Sequence, residues 1–280
     1  MTIAIWLYCD SVVAGRGGRR SERFRRWNPL GRWIANLLPI RMIKDTDIDP
    51  KNNYIFCVHP HGNVSLLSTI LSDATGFSSK FPGLKPHMVV MESLFRFPVL
   101  KHFFSLSGAI SSSADSIDHV LRRGSGNAVV IAVGGGHELI DMHPGTMVLT
   151  LRKRKGFVKM ALKHGASLVP VLNFGDGDLL QQIPNPPGSL WRSIQDIVYK
   201  LIHRYAAPVT LHGRQYGFLA NRVPCFTVVG APIHVHKDTN PSPDKIEALH
   251  SRYMTGLQDL FHKYKSEYSM NPYLELDIRY

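Results

Sequence analysis

Three cysteines in 280 residues, Cys9, Cys57 and Cys225, are too few, too far apart and odd in number for a disulfide framework. No CxxC pair occurs, which points to a reducing compartment. Long hydrophobic runs are missing as well. No stretch reaches the roughly 18–20 apolar residues that a spanning helix needs. The apolar opening, Met1 to Cys9, is short and has neither a basic flank nor a small-residue cleavage site, so it is a poor signal peptide. It reads as an interfacial segment, as the stub of a longer hydrophobic element, or as an end tucked against the core. G-x-S-x-G is absent, which sets aside the nucleophile elbow of serine hydrolases. G-x-x-x-x-G-K-[ST] is absent, which sets aside a P-loop. Internal repeats and low-complexity tracts are lacking too.

Acid is scarce. Lys and Arg number 33 against 21 Asp and Glu, a net charge of +12. The excess is concentrated at the start. Residues 1–44 hold eight arginines and one lysine against Asp10 and Glu22. A lopsided basic end suggests an anionic partner, nucleic acid or a membrane surface. No nucleic-acid module is visible. Asn28 is placed to cap a helix with Pro29 at its first position, and Pro39 to stop it. Leu30, Trp33, Ile34, Leu37 and Leu38 share one face of that helix. Arg20, Arg23, Arg25, Arg26 and Arg32 surround it, with Phe24 and Trp27 interleaved. The pattern fits an interfacial anchor on anionic lipid. It also fits a surface helix packing its stripe on the domain, but two tryptophans among arginines suit a headgroup layer. The first 44 residues are therefore read as a membrane-associating segment, and 45–280 as a catalytic domain.

With 44% hydrophobic residues, the rest of the chain can build one full core. Strand patterns at 54–58, 87–91, 127–133, 168–174 and 226–229 alternate with helix patterns near 64–72, 98–107, 115–123, 156–164, 189–204 and 243–266. That alternation predicts an α/β fold with a central, mostly parallel sheet flanked by helices. The last helix carries a stripe of Ile246, Leu249, Tyr253, Leu257, Leu260 and Tyr264. The Pro-rich stretch 181–189 reads as a lid or a substrate-facing loop.

Three clusters carry chemistry. The strand at 54–58 exits into His59-Pro60-His61-Gly62. Strand exits are where open α/β sheets hold ligands. Pro60 stiffens the turn, and Gly62 permits a sharp turn or a close approach. A neutral imidazole takes a proton from a hydroxyl near pH 7, and His61 is the best general base. The strand at 127–133 exits into Gly134, Gly135 and Gly136, then His137, Glu138 and Asp141. Backbone N–H groups at such glycines suit an oxyanion or a phosphate, unless the run is a plain tight turn. Glu138 is either an orienter of an imidazole or a solvated loop carboxylate. The third cluster has Arg152, Lys153, Arg154 and Lys155 ahead of Gly156, which opens a helix, and a strand ending at Asn173 and Asp176. Four cations there oppose the helix dipole, a cost that a bound phosphate would offset. A solvated basic turn is the other reading. His137 to Asp141 is close to the zinc motif HExxH, but position 141 is Asp and no further ligands fall at a known spacing.

The order "YIFCVHPHG", "KFPGLKP", "FRFPVL", "GSGNAVVIAVGGGHE", "LRKRKGFVKMALKHGASLVPV", "NFGD", "HGR" and "VVGAPI" resembles the type 2 diacylglycerol acyltransferase family, which includes monoacylglycerol and wax-alcohol acyltransferases. The resemblance runs from about Gly15 to Tyr268. It implies a glycerolipid-acyltransferase-like fold and acyl transfer from acyl-CoA to a lipid hydroxyl, most directly diacylglycerol to triacylglycerol. It implies acyl-CoA as co-substrate, no metal or other cofactor, and no acyl-enzyme. It implies residence at the endoplasmic reticulum membrane, cytosolic face, or on lipid droplets, and leaves a homo-oligomer open. By resemblance His59 and His61 are catalytic with Glu138 as orienter. Gly62, Gly134 and Gly135 are backbone or oxyanion positions. Arg152, Arg154, Lys155 and Gly156 meet the CoA phosphates. Arg96, His212 and Arg214 also match family positions. The family's N-terminal hydrophobic hairpin is reduced here to Met1–Cys9, and His137 replaces a small or polar residue. Neither histidine has Asp five positions on, so the H-x4-D glycerolipid acyltransferases match less well. The alternatives of other classes are a lipid-binding or droplet-coat protein and a metal-dependent hydrolase.

Overall fold

The computed structural model describes residues 10, 12–62, 65–201, 211–213 and 220–279. Met1–Cys9, Arg214 and the end of the 189–204 helix pattern lie outside them. Helices α1 (Glu22–Trp27) and α2 (Pro29–Leu37) lead into β1 (Ile40–Lys44) and β2 (Tyr54–His59). Next come α3 (Ser65–Thr69), α4 (Phe77–Lys80), β3 (Lys85–Val90), a 3-10 turn at Glu92–Arg96, α5 (Pro98–Leu106), β4 (Ile110–Ser111) and α6 (Ala114–Leu121). β5 (Asn127–Ala132) runs into α7 (Gly136–Ile140), β6 (Met147–Thr150), α8 (Gly156–His164) and β7 (Ser167–Phe174). β8 (Gln181–Gln182), α9 (Leu190–Leu201), β9 (Leu211–His212), β10 (Cys225–Val229), α10 (Pro243–Tyr268) and β11 (Leu276–Arg279) complete the order.

The main sheet runs β1-β10-β7-β2-β5-β3-β4. Every pairing in it is parallel except β10 with β7. β2 and β7 are buried along their whole length, as central strands covered on both faces must be. Their side chains divide with period two. Ile55 and Cys57 face a core shared with α6, α8 and α10. Tyr54, Phe56 and Val58 face Phe77, Phe81 and Leu66 on the other side. Each large apolar side chain buried this way contributes roughly 1.5–3 kcal/mol. The α10 stripe buries Ile246, Leu249, Tyr253, Leu257 and Leu260, while Tyr264 sits at the edge and donates to Asp45. Among the described residues no helix is long and apolar enough to cross a membrane.

The predicted strands and helices are present, with ends shifted by a few residues. Ile40–Lys44 is a strand of the same sheet, parallel to β10. It alternates buried Ile40 and Met42 with exposed Arg41 and half-buried Ile43, the mark of an edge strand wet on one face. The predicted cap of α2 is there: Asn28 Oδ1 accepts from Gly31 N at 3.2 Å, and Pro29 follows. The helix stripe, however, splits. Ile34 and Leu38 pack on Ile40, Leu179 and Cys225, whereas Leu30 and Trp33 stay exposed.

The arginines split as well. Arg25 is buried, donating to Ile70 O at 3.2 Å and pairing with Glu22. Arg20 donates to Pro86 O and to Glu22. These two hold the segment onto the domain, while Arg23, Arg26 and Arg32 face outward.

Helix α9 is inverted relative to an ordinary surface helix. Its buried residues are Arg192, Gln195 and Tyr199. Its exposed ones are Leu190, Ile194, Ile197 and Leu201, spaced along one stripe.

Candidate active site

β7, β2 and β5 are neighbours, all parallel, so their carboxyl ends deliver three chain segments to one place. From β2 comes His59-Pro60-His61-Gly62, with a cis peptide at His59–Pro60. From β5 come the glycines and Glu138. From β7 come Asn173 and Asp176. This is the position at which doubly wound sheets bind ligands.

His59 is fully enclosed. Its Nε2 lies 2.9 Å from the Tyr253 hydroxyl on α10, and burial pushes its pKa down to about 3. His61 keeps partial exposure, and burial lowers its pKa too, so both rings are neutral near pH 7. Neither Nδ1 has a hydrogen-bond partner among the described residues. A buried polar atom left so is costly unless a ligand or water completes it.

Glu138 is buried and takes two backbone donors. His61 N–H donates to Oε2 at 2.6 Å and Thr150 N–H to Oε1 at 2.9 Å. Burial pushes its carboxyl up to about 8, against those donors and the charge of Arg154. The sequence suggested an orienter of an imidazole ring. The carboxyl instead grips the main chain of the His61 turn.

The glycines make room for this arrangement. A Cβ on Gly134 would overlap the Glu138 carboxyl, and a Cβ on Gly62 would overlap the Asp176 carboxyl and lie 2.9 Å from Asn173 Nδ2. Asp176 Oδ1 in turn accepts from Ser65 N at 3.0 Å. Gly135 has φ +66°, and its N–H donates to Ala132 O at 3.2 Å, so that donor is committed within the turn.

The basic block lies beside this turn, with its side chains largely engaged. Arg154 donates to Gly134 O at 3.2 Å, joining the second and third clusters. Arg152 donates to Ile278 O at 2.9 Å, and Lys155 pairs with Glu247. Gly156 is exposed at the start of α8, with open space where a Cβ would stand. Arg96 lies elsewhere, on the 3-10 turn after β3, 3.9 Å from Glu92. His212 lies on β9, paired with Gln181, away from the sheet that carries the histidines.

His137, unexplained by the sequence, stands 3.7 Å from Asp141 and 4.0 Å from Asp196, with Tyr199 edge-on to its ring. Arg192 pairs with Asp141 at 2.5 Å and with Asp196 at 3.2 Å. The polar face of α9 is thus latched to α7, the helix that carries Glu138. Gln182 and Asn185, from the Pro-rich stretch, reinforce the latch by donating to carbonyls at the end of α7. Among the described residues no three metal-ligating side chains come together. Burial pushes the Cys57 and Cys225 thiols far up, so neither is a ready nucleophile.

Tyr253, Thr150 and the approach of Asp176 to Gly62 were not foreseen. Tyr253 reads in sequence as one more member of an apolar stripe. Its hydroxyl is the missed signal, because a tyrosine at the centre of a buried stripe must find a partner.

The arrangement is a neutral imidazole at a strand exit, its turn fixed by a buried acid. That is the equipment of base-assisted transfer to a hydroxyl. A sequence model for diacylglycerol acyltransferase matches residues 1–279. The chain is 41% identical over 273 residues to 2-acylglycerol O-acyltransferase 1 of Bos taurus, covering 95% of this chain and 81% of the relative. It is 39% identical over 284 residues to diacylglycerol O-acyltransferase 2 of Xenopus tropicalis, covering 98% and 77%. It is 39% identical over 269 residues to diacylglycerol O-acyltransferase 2 of Dictyostelium discoideum, covering 94% and 81%. Likeness over nearly the whole length, including every strand exit that builds the site, means that the chain belongs to the diacylglycerol acyltransferase family.

Proposed function

We propose that the chain moves an acyl group from acyl-CoA to a free hydroxyl of an acylglycerol, with His61 as general base. Family membership carries the reaction class: the chain is an O-acyltransferase of lipid biosynthesis. The observation that carries the base is the contrast between the two rings. His59 is sealed beneath Tyr253, whereas His61 keeps partial exposure and its backbone is fixed by Glu138. In this reading a neutral His61 takes the proton of the acceptor hydroxyl as its oxygen attacks the thioester carbonyl. The tetrahedral adduct then collapses, and the proton passes to the departing thiolate of CoA. His59 and Tyr253 hold the strand exit from below.

Diacylglycerol and monoacylglycerol are both acceptors named among the relatives, and diacylglycerol is our first choice. A lipid acceptor calls for contact with a membrane or droplet surface. The apolar stripe of α9, with Trp27 and Trp33 among exposed Arg23, Arg26 and Arg32, supports that contact. By the same reading the chain works on the cytosolic face of the endoplasmic reticulum and on lipid droplets.

The test is labelled oleoyl-CoA given to membranes bearing the chain, from a host that makes no neutral lipid of its own. Diacylglycerol, monoacylglycerol and hexadecanol are offered in parallel. Label in triacylglycerol is expected. Label in no neutral lipid, from well-expressed chain, would overturn the assignment.

A further inference from the structure

Acyl-CoA brings phosphates that need a basic surface within reach of His61. The block at 152–155 commits Arg152 and Arg154 to backbone carbonyls and Lys155 to a surface pair with Glu247, and leaves Lys153 exposed. A second surface with two arginines lies on the same edge of the sheet. Beyond the exits of β3 and β4 is a cavity of about 640 Å³, lined by Arg16, Arg96, Glu92, Phe95, Ser111 and Asp115 among others. That volume falls within the range of ligand pockets, roughly 300–1,000 Å³. β4 stands three strands from β2, so the cavity is about 14 Å along the sheet edge from the histidines. A pantetheine arm is built to separate a thioester from its phosphates by a span of that kind.

The lining sets the guanidinium groups of Arg16 and Arg96 against the carboxylates of Glu92 and Asp115. Glu92 meets Arg96 only at 3.9 Å, with both side chains largely exposed, a pair worth little. Asp115 lies in the first turn of α6, where the helix dipole already favours it. Arg123 contacts His119 one turn further along α6. Burial first, then the charges of Arg123 and Arg16, lowers the His119 pKa, against the charge of Asp118. Phe95 supplies an apolar wall beside the two guanidinium groups.

Building on the acyl-CoA reading above, we infer that this cavity holds the phosphate-bearing end of acyl-CoA through Arg16 and Arg96, and that the turn at 152–156 serves the fold. The guanidinium groups donate to phosphate oxygens, and the arm runs along the strand exits to bring the thioester to His61.

The experiment compares full-length wild type, Arg16→Gln/Arg96→Gln and Arg152→Ala/Lys155→Ala with two thioesters, oleoyl-CoA and phosphate-free oleoyl-pantetheine. For Arg16→Gln/Arg96→Gln, KM for oleoyl-CoA should rise about tenfold or more, and by more than kcat falls. KM for oleoyl-pantetheine should stay at the wild-type value. An equal shift with both thioesters would mean lost packing and overturn the inference. So would a shift confined to Arg152→Ala/Lys155→Ala. So would an unchanged KM together with weaker flotation on anionic vesicles, which would make the arginines a membrane contact. Free CoA titrated calorimetrically into the purified chain reads the site without turnover. Equal affinity in wild type and Arg16→Gln/Arg96→Gln overturns it even if no acyl transfer is found. A wild type that binds CoA through these arginines yet transfers nothing would instead sink the reaction assigned above.

Discussion

The Glu138 carboxyl accepts the main-chain N–H of His61 at 2.6 Å. The carboxyl and the proposed base are therefore coupled through the backbone. His61→Ala should lower kcat by at least ~10²-fold while acyl-CoA binding persists. His59→Ala and Tyr253→Phe should act first on stability, because each strips a partner from a buried polar atom. Turnover and thermal unfolding of the three variants separate these outcomes. A His61→Ala enzyme of normal kcat would remove that ring from the mechanism.

Glu138 also gives the fold a pH dependence. Its pKa in the folded chain is about 8, above the ordinary 4.5. A raised carboxyl stabilises fully below the unfolded value, and that contribution is lost as pH rises through 8. Its full size is on the order of 5 kcal/mol. His59 has the opposite sign: its contribution is present above pH 6.5 and is lost as pH falls toward 3. Chemical denaturation across pH 4.5–8 should show stability declining from the Glu138 side. Glu138→Gln should flatten that slope, and should cost roughly 1–3 kcal/mol at low pH, since an amide nitrogen would face a backbone N–H. An unchanged slope in the variant would assign the decline to other groups.

Gly62 is required by the Asp176 side chain. Gly62→Ala should destabilise by about 1–3 kcal/mol through overlap with that carboxyl. Adding Asp176→Ala relieves the overlap and gives up the bond from Ser65 N. The pair should therefore be non-additive, with the double variant more stable than the sum of the two single losses. Additive losses in a denaturation cycle would show that the two residues do not meet.

The arginines of the N-terminal segment should fall into two classes. Arg23→Gln, Arg26→Gln and Arg32→Gln should weaken flotation on anionic vesicles, as high salt should, with stability within about 0.5 kcal/mol of wild type. Arg25→Gln should instead destabilise, because the guanidinium is buried on Ile70 O and Glu22. Leu190→Ser with Ile194→Ser and Ile197→Ser should lower binding to neutral vesicles as well, since the α9 stripe carries no charge requirement. Vesicle binding that survives both sets would place the lipid contact elsewhere.

Much of this molecule is legible in its sequence. Apolar runs such as Tyr54–Val58 announce central strands, because a strand covered on both faces has no polar face to show. The residues at strand exits are equally visible, since a proline between two histidines or a run of glycines stands out from core composition. Edge strands are harder: Ile40–Lys44 carries two basic residues in five and reads as part of a basic leader. Long-range polar partnerships are the least legible. Tyr253 lies 194 residues from His59 and resembles every other core position on its helix. Arg20 and Arg25 look like Arg23 and Arg26 until the fold determines which of them face inward. Helix α9 shows an amphipathic period, but the period alone does not say which face is inside.

One consequence follows from the place of β1 at the rim of the sheet. Because β1 covers β10, and α1 buries Arg25 in the domain, the basic leader and the sheet form one cooperative unit. A fragment trimmed to begin near Tyr54 would uncover a ladder of unpaired amides along β10 and invite stacking between copies. Homogeneous material for structural work should therefore keep β1, since the cut that removes the N-terminal segment also opens the sheet.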